Sequence, residues 1–323
     1  MDLFQIIDDI AKVDPEVYDR FDSRRAAFRN FMGFGRKVTA AALPVVVSSL
    51  FTKAYGQSNT LDANIVATLN LALQLEYLEK YFYQTALAST GLGLTSEESG
   101  AITIILNDEN LHIKTLTMVL GNQAVGDPGR AGFDYTASQN LRRTPLFPAL
   151  GGTTSPTTGQ FTDKAMFLTV AQQFVDTGVR AYKGGAPNLM SNQNILEAAL
   201  NIHSVEARHS SRVRSLRRGG IQSANPPKSW ITPDETLATP PLPNNGVPGA
   251  PPTVGPYNAG SPATAYPAEN NVTQGATPVN VQTLVPSGGS STAGAEAFDE
   301  PLDAATVKGI AKNFAANPAA LFN

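Results

Sequence analysis

The chain has three histidines, His112, His203 and His209, and two of them stand three residues after a glutamate, in Glu109-Asn110-Leu111-His112 and Glu206-Ala207-Arg208-His209. On an α-helix, residues three apart are one turn apart along the axis and about 60° apart around it, so the two side chains can converge on one point. A carboxylate and an imidazole that converge are ligands for iron, manganese and similar divalent ions. With glutamate at roughly 5% of an average chain, two such pairs among three histidines arise by chance on the order of once in a hundred sequences.

Both pairs sit on apolar arcs. Ala101, Ile105, Leu116 and Val119 share a face with Glu109 and His112, and Ile195, Ala198, Ile202, Val213 and Leu216 do the same for Glu206 and His209. Carboxylates on core faces are costly unless they meet a cation or one another. A further inward carboxylate, Glu76, lies on the stripe of Leu61, Ile65, Leu69 and Leu73, with Tyr83 two turns beyond it. Glu79 is read as its supporting or ion-paired neighbour. The stripe Leu168, Ala171, Val175, Val179 and Tyr182 puts an apolar residue where a fourth carboxylate would stand, with Gln172 and Asp176 at its edge. The candidate metal ligands are therefore Glu76, Glu109, His112, Asp176, Glu206 and His209. His203 lies off the metal-facing arc and reads as a helix-face histidine. Arg208, Arg212, Arg214, Arg217 and Arg218 crowd a helix end, where positive charge complements the helix dipole.

Four helical periodicities must position these residues, over about 61–88, 96–120, 162–182 and 192–217. Thr95 with Glu97 and Glu98 reads as an N-cap with an acidic first turn, Gly121 closes the second helix, and "KGGAP" stops the third. Short turns join the first helix to the second and the third to the fourth, whereas 121–161 is a long link. Two hairpins joined by one long crossover between helices 2 and 3 make an all-α four-helix bundle. After Gly219 the composition turns to Pro, Gly, Asn and Thr with almost no charge, which reads as loop or linker, either free of the bundle or wrapped on it. "DAATVKGIAKNFAANPAALF" predicts one short terminal helix, with "AFDEPLD" as its start. Burial of that start would make the extension a cap. The expected organisation is an N-terminal segment over 1–58, the bundle over 59–219 and the extension over 220–323.

Hydrophobic residues make up 42% of the 323, enough for a substantial core. A net charge of -3 provides no basic field for nucleic acid. With no cysteine, any metal must be held by carboxylate and imidazole. Near the N-terminus Arg24-Arg25, the apolar run from Val38 to Phe51 and then "AYG" follow the order of a twin-arginine export signal. The run contains Pro44 and falls short of the roughly 20 apolar residues that span a bilayer. It reads as a cleavable signal or a docked helix, not a membrane anchor. The protein is then periplasmic or secreted if the signal is used, and cytoplasmic otherwise.

Four helices carrying Glu, Glu-x-x-His, an acidic residue and Glu-x-x-His resemble the ferritin-like di-iron and di-manganese carboxylate proteins. More narrowly, "NLALQLEYLEKYFY", "DTGVRAYKGGAPNL", "SVEARH" and "AFDEPL" resemble bacterial ferritin-like proteins related to desiccation-associated and stress-induced families. The resemblance implies a Glu-Asp pair before Thr177-Gly178-Val179, where this chain has Val175-Asp176. It also implies one or two iron or manganese ions, with an oxidase, peroxide-removing or stress-protective role. The alternative is a non-catalytic structural or cell-surface stress-associated protein with a vestigial site, assembling as a homo-oligomer or at a surface through its extension.

Overall fold

A computed structural model describes residues 61–152, 155–220, 228–232 and 255–323. The expectations placed on the twin-arginine segment lie outside these residues. Everything described falls within one compact unit, Lys53–Asn323.

Four long helices form the body: α1 (Ala63–Ala88), α2 (Ser96–Leu120), α3 (Lys164–Gly185) and α4 (Gln193–Arg217). Each begins at a side chain that accepts an otherwise orphaned backbone N–H. Asp62 caps α1, Asp163 caps α3 and Asn192 caps α4. At α2 the exchange is reciprocal: Thr95 Oγ1 accepts from the Glu98 N–H at 3.2 Å, and the Glu98 carboxylate accepts from the Thr95 N–H at 2.7 Å. Gly121, with φ of 54°, ends α2 in a conformation open to glycine.

The helices pair as α1 with α2 and α3 with α4, while α1 also lies against α3 and α2 against α4. The crossover between α2 and α3 runs back along the bundle. It starts near Asn70, which donates to the Gln123 carbonyl, and returns to the end of α1, where the Phe161 N–H donates to Ser89 Oγ. On the way it buries Phe133, Tyr135, Phe147 and Phe161. Phe82 of α1 gathers Tyr135, Phe161, Phe167 and Phe174, at ring separations of 4.9 to 5.2 Å. This aromatic cluster fastens the crossover to the bundle.

The C-terminal residues pack onto α1 and α3 through a short helix, α5 (Ala304–Ala311), capped by Asp303 as expected. A two-residue ribbon, β1 (Thr273–Gln274) with β2 (Val279–Asn280), precedes it. Of the stretch expected to act as a cap, Glu300, Leu302 and Asp303 are buried. Arg180 of α3 is the anchor. Its guanidinium donates to the carbonyls of Pro256, Asn258, Pro267, Glu300 and Pro301 and pairs with Glu269 at 2.8 Å. The arginines at the end of α4 do more than complement a dipole: Arg212 reaches Glu97, Arg214 reaches Asp176, Arg217 reaches Gln172 and Arg218, just past the helix, reaches Thr232.

Candidate metal centre

Three of the four helices bring six ionisable side chains together: Glu76 and Glu79 from α1, Glu109 and His112 from α2, and Glu206 and His209 from α4. None is more than 6% exposed, so water cannot screen their charges. Ligand atoms of Glu76, Glu109, His112 and Glu206 all lie within 4.8 Å of one another, which is close enough to share an ion.

His112 Nδ1 stands at the focus, 3.2 Å from Glu76, 3.1 Å from Glu109 and 3.1 Å from Glu206. His209 Nδ1 approaches Glu109 at 3.2 Å and Glu206 at 3.6 Å, while its Nε2 meets Asp108 at 3.1 Å. The Asp108 contact fixes the ring and keeps Nδ1 turned inward. Tyr182 of α3 donates to Glu76 Oε1 at 2.6 Å, and Tyr83 donates to Glu79 Oε2 at 3.4 Å.

These contacts leave bonding capacity unused. Glu109 Oε1, both carboxylate oxygens of Glu206 and His209 Nδ1 are buried without an aligned hydrogen-bond partner. The ionisation balance is correspondingly distorted. Burial and the neighbouring carboxylates push Glu76 up to about 8, against the pull of His112. Burial and Glu206 raise Glu79 well above the usual range. Burial opposes the charge on Glu109, but His112 and His209 outweigh it and hold the group well below the usual range. Burial alone would discharge both imidazoles, yet the facing carboxylates raise His112 strongly and bring His209 up to about 12. Without an ion, protons do the work of neutralising the cluster.

Five of the six residues expected as ligands therefore converge, and Asp176 does not. At about 100° per residue, Asp176 lies about 200° around α3 from Gly178, the residue that faces the cluster. Its carboxylate instead accepts from Arg214 at 2.6 Å, Ser210 at 2.6 Å and Tyr257 at 2.7 Å. Val175 is buried and apolar. His203 is half-buried, and burial lowers its pKa. Sequence reasoning missed Tyr182 as the partner of Glu76, although it lay on the inward stripe. It missed Asp108 as well, which carries no signal beyond adjacency to Glu109.

Buried carboxylates and imidazoles on facing helices, with a long crossover between two hairpins, define the class of four-helix carboxylate–histidine bundles. Residues 64–218 match the family of the ferritin-like domain, so the chain carries a ferritin-like domain over α1 to α4. Neither the curated proteins nor the solved structures hold a significant match to the chain.

Proposed function

We propose that the protein binds iron or manganese in the bundle core through Glu76, Glu109, His112, Glu206 and His209, and serves an oxidase, peroxide-removing or otherwise protective role. The observation that carries this reading is the set of buried ligand atoms on Glu109, Glu206 and His209 that meet only one another and His112 and make no aligned hydrogen bond. A native core rarely leaves such atoms unsatisfied, and carboxylate with imidazole suits these ions. When bound, such an ion supplies Lewis acidity and redox chemistry toward dioxygen or peroxide. The chain's own groups hold the site: Tyr182 orients Glu76, Asp108 orients His209, and the packed helices exclude water.

Arg180 and the burial of Glu300 and Leu302 support the extension as a cover on the bundle in preference to an outward arm for surface attachment. Export through the Arg24-Arg25 segment and a stress-related role are proposed on sequence resemblance alone.

The test is metal content per chain after anaerobic loading with ferrous or manganous ion, with the double variant Glu109→Ala, Glu206→Ala as control. At least one ion per chain, absent from the control, is expected. A wild-type chain that stays empty with both metals sinks the proposal.

A further inference from the structure

The centre has two halves built alike, one around each imidazole. Glu109 turns Oε2 to His112 and Oε1 to His209, and Glu206 turns Oε1 to His112 and Oε2 to His209. A carboxylate that divides its oxygens between two sets of ligands is placed to bridge two ions. The His112 half also has a terminal carboxylate, Glu76, with Oε2 in the cluster and Oε1 held by Tyr182. The His209 half needs its counterpart, and α3 offers none, because Val175 is apolar and Asp176 is engaged elsewhere.

Glu79 repeats the arrangement of Glu76 one turn along α1. It is buried, and a tyrosine hydroxyl, that of Tyr83, holds its Oε2. Its Oε1 lies 3.5 Å from the point where a Cβ on Gly178 would stand, and Glu206 Oε2, the oxygen turned to His209, lies 3.5 Å from the same point. Both oxygens therefore border the space that Gly178 leaves open, and a side chain longer than a methyl group would fill it. On this side Glu109 Oε1, Glu206 Oε2 and His209 Nδ1 are buried, face one another and make no aligned hydrogen bond.

We infer that Glu79, Glu109, Glu206 and His209 form a second ion site, with α1 supplying both terminal carboxylates as Glu76-x-x-Glu79 and α3 contributing clearance at Gly178. The inference rests on the reading of the cluster as a metal centre. The fourth carboxylate has changed helix, and Val175 leaves the pair of sites intact.

The test uses the full chain loaded anaerobically with manganous ion, read by elemental analysis and electron paramagnetic resonance. The wild type is expected to hold two ions per chain with an exchange-coupled signal. Glu79→Gln is expected to hold one, with the signal of an isolated ion, and Glu79→Asp to keep a weakened second ion. One ion in the wild type, or two in Glu79→Gln, overturns the inference and leaves metal binding standing; no ion in the wild type overturns both. Should Glu79→Gln not fold, the wild-type count and coupling decide.

Discussion

The imidazoles of His112 and His209 lie 6.1 Å apart, ring centre to ring centre, and the Glu109 carboxylate touches both, with Oε2 3.1 Å from one Nδ1 and Oε1 3.2 Å from the other. The two rings come from different helices, α2 and α4, so their separation is set by how those helices pack. Any change at the α2–α4 contact is a change at the centre.

Protons and metal compete for these imidazoles. Both are raised above their ordinary value, so the metal-free site is protonated near neutrality, and an ion must displace protons to reach Nδ1. Metal uptake should release protons and weaken as pH falls. Calorimetry in buffers of different ionisation enthalpy measures the release; buffer-independent heats would contradict it.

Metal-free stability should fall with rising pH. Glu76 has a folded pKa raised from 4.5 to about 8, so the folded state holds its proton longer than the unfolded chain, and stability is lost as pH climbs through that window. The raised imidazoles act in the same direction, from 6.5 up to about 12 for His209. Melting with a chelator should drop between about pH 6 and about pH 9, and saturating metal should shrink the drop. A flat chelated profile would refute this account.

Glu79→Gln should leave the metal-free fold nearly as stable as the wild type. Burial and Glu206 already favour the uncharged acid, which glutamine matches in size. The expected difference in unfolding free energy near neutral pH is within about 0.5 kcal/mol. Denaturant melts with a chelator measure it, and a much larger loss would mean that the charge itself stabilises the core.

Asp176→Asn should be strongly destabilising without changing the metal count. Arg214 is 1% exposed and would lose the carboxylate 2.6 Å from its guanidinium, which costs about 3–5 kcal/mol. Loss of metal from a still-folded Asp176→Asn chain would return Asp176 to the ligand set.

Arg180→Met should free the extension. Five carbonyls and Glu269 lose their shared donor, again at about 3–5 kcal/mol. Limited proteolysis should then cut within 255–303 ahead of the helices; an unchanged digestion pattern would show that α5 and its neighbours dock without it.

The helices and most of the centre were legible in the sequence because their signals are local. Thr95 and Glu98 are neighbours, and each Glu-x-x-His pair spans a single turn. Asp176 misled because its partner, Arg214, is 38 residues away, and nothing in the third helix's own pattern names it. Glu79 was read only as a supporting or ion-paired neighbour of Glu76, since the site inferred for it depends on the gap at Gly178, and a glycine inside a helix announces no function by itself. The docking of the extension was foreseen only loosely, because Arg180 recognises carbonyl oxygens, which every residue type carries.

That mode of recognition constrains how the protein can change. A guanidinium that reads main-chain oxygens is blind to the side chains of Pro256, Asn258, Pro267 and Pro301, so those identities can drift while the path of the segment is kept. Arg180 has no such latitude, since a lysine in its place offers three donors on one atom where a planar fork now serves several strands of chain. Among homologues the extension should diverge widely around one fixed arginine, and insertions that lengthen the segment between its anchored carbonyls should be tolerated.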